Sequence, residues 1–343
     1  MREIQNVLYV QTQGASLRLD HDALCVRVEG ELRLRAPLLR LSGIVVFGRV
    51  GVTTSLIHRC AADGRDLVWL DRRGRFRGRL QGPVQGNVLL RSAQHAAHSH
   101  PRMPVAIARQ MVAAKVQNGR YLLLRAARDA RDAERRTALT GAAGVAADVI
   151  GRLPSLESLD ALRGAEGEAA RAYFGVLRVA MRSDLGALAP EGRSKRPPRD
   201  PVNSVLSFGY TLLRNECAGA LEAVGLDPQV GYLHALRSGR PALALDLMEE
   251  LRSTVVDRLV LTLFNRRELR EGDFEALPGG AIYLTEGGRR KFLAAYQERK
   301  GVEVEHRLLG SRLALGLVPH VQARLLARHL RGELDVYPPF LVR

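Results

Sequence analysis

The pattern of apolar and polar residues changes character once along the chain. Over residues 1–90, short and partly alternating apolar segments such as Val7–Val10 and Leu24–Val28 predict β-strands. The continuous apolar run Ile44–Phe47 ends at a glycine and predicts a further strand. Thr53 is expected to cap a helix that reaches Ala62. This part of the chain is therefore predicted to be a small, mostly β domain.

From about residue 101 the alternation disappears and a helical period replaces it, as in Ile107–Lys115. The pattern stays mainly helical to about residue 330, and an irregular tail follows from Val336. The fold class is thus predicted to be α+β, with a β-rich N-terminal domain over residues 1–90 and an α-helical domain over 101–343. The segment 91–100, which contains several histidines, is predicted to be a linker rather than a metal site.

Residues 183–200 interrupt the helical region, because Pro190, Pro197 and Pro198 are incompatible with a helix interior. The segment is either a solvated loop or a mobile loop that contacts phosphates near an active site. Its basic residues are candidate DNA contacts: Arg193, Lys195, Arg196 and Arg199.

Composition adds a preference for a polyanionic partner. The net charge is +16, and residues 1–200 hold 33 of the 52 basic residues against 19 of the 36 acidic ones. The three cysteines are scattered without metal-ligand spacing, which indicates a reducing compartment. No apolar run approaches the ~20 residues of a membrane span, so we expect a soluble, cytoplasmic protein without a membrane partner.

The segment Gly225–Arg252 carries the most informative chemistry. His234 precedes a predicted helix on which Asp246, Glu249 and Glu250 are three or four residues apart and share a face. Together with Glu166 on an earlier helix, an imidazole and two carboxylates form a donor set that suits Mg²⁺ or Mn²⁺ more than structural zinc. A basic chain with such a site suggests metal-dependent chemistry on a phosphodiester.

An ordered series of segments resembles the CRISPR adaptation integrases, the "Cas one" family. The similar segments follow the order found in that family: Pro37–Gly48, Leu162–Phe174, Arg196–Tyr210, Gly225–His234 and Leu245–Arg252. No single motif is diagnostic, but the ordered set is specific and spans most of the chain.

The resemblance implies a metal-dependent DNA endonuclease and integrase that inserts short foreign DNA duplexes, called spacers, into a CRISPR array. It places the catalytic metal ligands on Glu166, His234 and Glu249. It also implies a homodimer and a small "Cas two" partner that bridges two dimers. The DNA partners would be the spacer duplex and the CRISPR repeat, and the reaction a transesterification by a 3′-hydroxyl.

Several residue roles have two interpretations. Spacing alone does not separate Glu249 from Glu250 as the third ligand, and the resemblance favours Glu249. Asp246 is expected to hold His234 in its metal-binding tautomer. Tyr173 is either a core residue or a DNA contact, Asn203 either a helix cap or a site residue, and Arg252 a partner of phosphate or of Glu249.

Two other functions are compatible with the same residues. A structure-specific DNA repair nuclease would use the same metal site without integrating DNA. A non-catalytic DNA-binding scaffold would use only the basic surface, although such a scaffold has no need for Glu166, His234 and Glu249 together. A zinc hydrolase is disfavoured by the single imidazole and the lack of cysteine ligands.

Overall fold

Two four-stranded sheets make up the N-terminal region of the computed structural model, which describes residues 6–82, 88–181, 185–190, 192–194 and 197–342. One sheet has the order β1-β5-β7-β8, with parallel pairs except β7 with β8, and the other has the order β4-β3-β2-β6, antiparallel except for β2 with β6. The elements are β1 (Asn6–Val10), β2 (Ser16–Asp20), β3 (Ala23–Val28), β4 (Glu31–Pro37), β5 (Leu41–Phe47), β6 (Gly51–Val52), α1 (Thr54–Ala62), β7 (Asp66–Leu70) and β8 (Phe76–Arg79). The predicted β-rich N-terminal region is confirmed.

Strand β5 is apolar throughout because both of its faces are buried. Ile44 and Val46 point into the core that the two sheets share with α1. Val45 and Phe47 point the other way, into the large core of the helical region. Since successive side chains of a strand face opposite sides, one strand can serve two cores. The β-rich region is therefore packed directly on the helices.

The predicted linker over residues 91–100 is wrong, because the structure has helix α2 there (Val88–Ser99). Leu90, Gln94 and Ala97 form its buried stripe. Burial of the Gln94 side chain leaves its amide nitrogen hydrogen-bonded, because it donates to the carbonyl oxygens of Asp227 at 2.9 Å and Val230 at 3.0 Å. The polar composition of the segment concealed an amphipathic helix that supports the loop before His234.

The rest of the chain is mainly helical, in agreement with the predicted fold class. Its helices are α3 (Met103–Arg128), α4 (Ala133–Arg152), α5 (Leu159–Gly175), α6 (Leu177–Ala180), α7 (Pro201–Ala223), α8 (Ala242–Glu249), α9 (Arg258–Asn265), α10 (Glu286–Gly301) and α11 (Val318–Leu330). A π-helical turn, Ser253–Asp257, lies between α8 and α9 and ends directly before α9. Helices α3, α4 and α5 pack on one another and enclose a separate apolar cluster.

Two β-hairpins interrupt the helical region and were not predicted. They pair β9 (Phe274–Leu277) with β10 (Ala281–Leu284), and β11 (Glu303–His306) with β12 (Ser311–Ala314). Each strand has four residues, too few for a periodic pattern to be distinguished from that of the flanking helices.

The tail after α11 contains no regular element up to residue 342, as predicted, yet Tyr337 and Phe340 are buried. None of the described helices combines the length and the apolar character that crossing a membrane would require.

Candidate metal centre

Three separate segments bring Glu166, His234 and Glu249 together. Glu166 lies on α5, His234 on the irregular segment between α7 and α8, and Glu249 at the end of α8. The Glu249 side chain is only 4% exposed, whereas those of Glu166 and His234 are 25% and 23% exposed. The centre is therefore anchored on its inner side by Glu249 and open to solvent on the side of the other two.

Lys115 of α3 connects the two carboxylates. Its ammonium nitrogen Nζ is in close contact with Oε1 of Glu166 and lies 2.6 Å from Oε2 of Glu249. Within the part of the chain that the structure describes, no three His, Cys, Asp or Glu side chains are close enough together to hold a metal ion. The carboxylates are instead arranged around a cation that belongs to the protein.

The donor set nevertheless fits a divalent ion of the Mg²⁺ or Mn²⁺ type. It consists of two carboxylates that already share one positive charge, and of an imidazole whose Nε2 lies 3.9 Å from Oε1 of Glu249. Lys115 was not among the predicted site residues. It is one of only four lysines in the chain and lies between the buried Ala114 and Val116, the one signal that could have drawn attention to it.

Asp246 fixes the position and the tautomer of His234. Its Oδ1 lies 2.6 Å from Nδ1 of the imidazole, so Nδ1 donates to the carboxylate and Nε2 remains free to act as a ligand. The same carboxylate accepts backbone N–H groups of Tyr232 at 2.6 Å, Leu233 at 2.9 Å and His234 at 2.9 Å. These contacts match the orienting role predicted for Asp246.

A glycine permits this close approach of the loop to α8. A Cβ atom at position 231 would lie 2.7 Å from Oδ2 of Asp246 and 2.7 Å from the backbone carbon of Ala242. Only glycine fits between the two segments without a shift of one of them. The segment before His234 is thus held against the helix by local sequence as well as by Asp246.

Glu249 is ionised because of its neighbours. Burial alone would raise the pKa of its carboxyl group, but the charges of Arg252, Lys115 and His234 outweigh burial and hold the pKa well below the usual range. Arg252 donates through Nη1 to Oε1 at 2.9 Å and to Oε2 at 3.0 Å. Of the two roles considered for Arg252, the structure shows the ion pair with Glu249.

Glu250 faces away from the centre, although it is the next residue. Its carboxylate accepts the hydroxyl of Tyr337 at 2.5 Å, the backbone N–H of Phe340 at 2.8 Å and the amide of Gln322 at 2.8 Å. Burial is the largest influence on this group and, against these hydrogen bonds, raises its pKa to about 7. Of the two adjacent glutamates, only Glu249 therefore faces Glu166 and His234.

Tyr173 and Tyr210 bind a buried carboxylate beside the centre. Their hydroxyls donate to Oδ2 and Oδ1 of Asp257 at 2.8 Å and 2.5 Å. Asp257 belongs to the π-helical turn, and burial raises its pKa although both hydroxyls lower it. Tyr173 thus has a partner inside the protein, which favours the core interpretation. Neither Asp257 nor Tyr210 was predicted, because the turn that presents the carboxylate has no sequence signature.

Asp200, and not Asn203, caps helix α7. The helix begins at Pro201, and the carboxylate of Asp200 accepts the backbone N–H of Asn203 at 2.7 Å. The predicted capping by Asn203 of a helix starting near 204 is therefore wrong. The buried Asn203 side chain instead donates to the carbonyl oxygen of Gly192 at 2.6 Å and accepts from Arg193 at 2.6 Å, so it holds the preceding loop.

The four predicted DNA-contacting residues have different surroundings. The guanidinium of Arg193 lies 5.6 Å from the ring centres of Phe174 and Tyr210, and burial lowers its pKa, so it is turned into the protein rather than toward solvent. Arg199 is exposed and stays a predicted contact. Lys195 and Arg196 lie outside the described residues.

A family model and a relative of equal length match this chain. The model of the family described as CRISPR associated protein Cas1 matches residues 8–298. CRISPR-associated endonuclease Cas1 1 of Moorella thermoacetica is 50% identical over 343 residues, which cover 100% of both chains.

Solved structures share the fold. A casposase bound to integration product has a TM-score of 0.83 and 22% identity, over 97% of this chain and 93% of that one. A Cas6-RT-Cas1–Cas2 complex contains a chain with a TM-score of 0.81 and 23% identity, over 99% of this chain and 36% of that one.

Proposed function

This chain belongs to the family of CRISPR-associated protein Cas1, and we propose that it is a metal-dependent DNA endonuclease and integrase of CRISPR adaptation. The observation that carries the proposal is that Glu249 lies close to both other residues: Lys115 joins it to Glu166, and Nε2 of His234 lies 3.9 Å from its Oε1. The Moorella relative is named as an endonuclease, which supports nuclease activity. The casposase bound to integration product has the same fold, which supports integration chemistry here.

The proposed reaction is the attack of a DNA 3′-hydroxyl on a phosphodiester of the repeat. A new P–O bond forms and the bond to the leaving 3′-oxygen breaks, so no oxidant or reductant is needed. Mg²⁺ or Mn²⁺ bound by the two carboxylates and Nε2 of His234 would supply activation of the attacking oxygen and stabilisation of the negative charge on the phosphate oxygens and the leaving oxygen.

The protein contributes the ionisation state and the orientation of the ligands. Arg252 and Lys115 keep Glu249 ionised in a buried position. Asp246 keeps the Nδ1 proton of His234 in place, so that the lone pair of Nε2 faces the centre. These contacts position the ligands before DNA arrives, which is how a rigid site lowers the cost of reaching the transition state.

Double-stranded DNA is the proposed substrate and partner. The net charge of +16 favours a polyanion. Exposed arginines lie on the two segments that carry partly exposed ligands: Arg171 on α5 and Arg237 after His234. We propose that they contact phosphates of the bound DNA.

We further propose a homodimer that assembles with a small Cas2 partner. The complex of Cas1-type and Cas2 proteins among the structures of this fold supports that assembly. The β-rich region is the proposed dimer surface, since the catalytic groups lie in the helical region and the exposed strand β4 needs cover.

The proposed function is tested by strand transfer in vitro with a supercoiled array plasmid, a short duplex with 3′-hydroxyl ends, Mg²⁺ or Mn²⁺ and the small partner. Glu166→Ala, His234→Ala and Glu249→Ala should each lower the rate by ~100-fold or more. Glu168→Ala is the matched control, because Glu168 lies on the same helix but pairs with Arg152 at 2.7 Å outside the centre.

DNA affinity should stay close to the wild type in all four variants. Glu166→Ala and Glu249→Ala should melt below the wild type, because each removes a partner of Lys115, so strand transfer is measured well below their melting temperatures. Wild-type strand transfer in any ligand variant would contradict the proposed site. Wild-type strand transfer by Glu249→Ala would assign the ligand role to Asp246 or Glu250 instead. A wild-type protein without strand transfer under these conditions would contradict the function itself.

A further inference from the structure

One cation in the centre contacts both carboxylates. Lys115 extends from the middle of α3, and its side chain is 18% exposed. Its ammonium group contacts a carboxylate from α5 and a carboxylate from α8, so one cation joins three helices. Without that charge the carboxylates of Glu166 and Glu249 would face each other across the centre and repel.

The position of the ammonium is that of a cation between ligands. It touches Oε1 of Glu166 and Oε2 of Glu249, the two carboxylates that we propose to bind the divalent ion, and Nε2 of His234 lies 3.9 Å from the other oxygen of Glu249, Oε1. Arg252, the other cation on Glu249, comes from the side of the π-helical turn and does not contact Glu166 in any described hydrogen bond or ion pair. Lys115 therefore joins the two carboxylates, whereas Arg252 pairs with Glu249.

We infer that Lys115 acts as an internal cation that holds the two carboxylates together in the metal-free protein, and that binding of the divalent ion displaces its ammonium group. The inference rests on the proposed metal site. An ammonium is suited to the task, because it is a compact point charge on four flexible methylenes and leaves by rotation of its own side chain. A planar guanidinium with fixed geometry would leave less readily.

Displacement of the ammonium group would affect both the stability of the metal-free protein and the affinity for the ion. In the metal-free protein, two partly buried ion pairs stabilise the contacts of α3 with α5 and α8. When the ion binds, both pairs break, so the ion is bound more weakly than the three ligands alone would bind it. Removing the charge of Lys115 should therefore strengthen ion binding while it weakens the metal-free fold, since the two effects are linked through one cycle.

The first test compares Mn²⁺ binding by the wild-type chain and by two lysine variants, measured by isothermal titration calorimetry at neutral pH. Lys115→Met keeps the length of the stem and removes the charge, and it should lower the dissociation constant on the order of tenfold, within the usual range of coupling between two ligands. Lys291→Met is the matched control, because Lys291 pairs with Asp273 at 2.8 Å away from the centre. Its Mn²⁺ affinity should equal that of the wild type.

Thermal melting of the same proteins provides an independent measurement. Metal-free Lys115→Met should melt below the wild type, and saturating Mn²⁺ should raise its melting temperature by more than it raises that of the wild type. An unchanged or weaker Mn²⁺ affinity in folded Lys115→Met would overturn the inference.

The second test uses the wild-type chain and does not depend on the folding of a variant. The chain has four lysines, so acetylation by an amine-reactive ester can be assigned to each by mass spectrometry. Mn²⁺ should increase the acetylation rate of Lys115 several-fold and leave Lys291 and Lys300 unchanged. Equal protection of Lys115 with and without Mn²⁺ would show that the ammonium stays between the carboxylates, which would overturn displacement.

The outcomes separate this inference from the proposed function. A wild-type protein that binds no Mn²⁺, or a Glu249→Ala variant that binds it equally well, contradicts the metal site. A wild type that binds Mn²⁺ and loses it in Glu249→Ala, while Lys115 stays protected, contradicts only the displacement of Lys115.

Discussion

The ionisation of Glu250 makes the stability of this fold depend on pH, and the burial of its carboxyl group sets the direction of that dependence. The group is fully buried, and its hydrogen-bond donors come from the C-terminal tail and α11. The substitution Glu250→Gln preserves this arrangement. The amide oxygen can accept from Phe340 and Gln322, and the amide nitrogen can donate to Tyr337, whose hydroxyl oxygen accepts as well as donates.

The magnitude follows from the pKa, which burial raises from 4.5 to about 7 in the folded protein. Below about pH 4.5 the group is protonated in both states and has no effect. As the pH rises further, the unfolded chain releases the proton first, so the free energy of unfolding falls until the folded form also ionises. Each unit of pKa difference corresponds to about 1.4 kcal/mol, so the complete loss is about 3 kcal/mol.

The measurement is urea unfolding of both proteins between about pH 5 and pH 8. The free energy of unfolding of the wild type minus that of Glu250→Gln should fall by about 2 to 3 kcal/mol over this range, because the other titrating groups cancel in the difference. A difference independent of pH would mean that the folded pKa of Glu250 is close to its ordinary value. A difference that grows with pH would mean that its donors outweigh burial.

Two further predictions concern the DNA surface and the assembly. The logarithm of duplex affinity, measured by fluorescence anisotropy, should fall linearly with the logarithm of salt concentration, with a slope of about −0.9 for each phosphate neutralised; a flat response would exclude a mainly electrostatic interface. Light scattering should give the full chain about twice the monomer mass of 37.7 kDa. Leu34→Glu, which places a charge on the exposed strand β4, should restore the monomer mass, and a wild-type monomer at micromolar concentration would contradict the dimer.

The sequence was most informative where the pattern of one segment determines its structure. Ile44–Phe47 is a strand because four consecutive apolar residues are buried on alternating sides. Helix α8 presents Asp246 and Glu249 together because they are three positions apart in the sequence. Local periodicity was enough in both cases, and the resemblance to an ordered set of family segments added the connection to Glu166.

Features that depend on contacts between distant segments were not predictable. Lys115 is a mid-helix lysine whose two partners lie on other helices. Residues 91–100 are mostly polar, and the sequence could not show that Gln94 bonds to a loop distant in sequence or that Ala97 lies in the core. For Asn203 the error was local: Pro201 is favourable in the first turn of a helix, which makes Asp200 the cap.

Glu249 and Glu250 show why spacing could not choose between two adjacent carboxylates and why their surroundings favour Glu249 as the proposed ligand. Both carboxylates are buried, and burial raises the pKa of each. Around Glu249 the neighbours are two full positive charges and an imidazole, which stabilise the ionised form by more than burial disfavours it. Around Glu250 the neighbours are a hydroxyl, an amide and a backbone N–H, which are dipoles and compensate only in part.

A divalent ion needs the ionised form of its ligand, so the carboxylate that already lies among cations is the one prepared to bind it. When the ion arrives, each protein cation next to Glu249 must either leave or remain on the side of the carboxylate that faces away from the ion. Lys115 lies between Glu249 and Glu166, whereas Arg252 approaches from the turn after α8. In our proposal the lysine is therefore the cation that an incoming ion replaces, and the arginine is the one that keeps Glu249 ionised throughout.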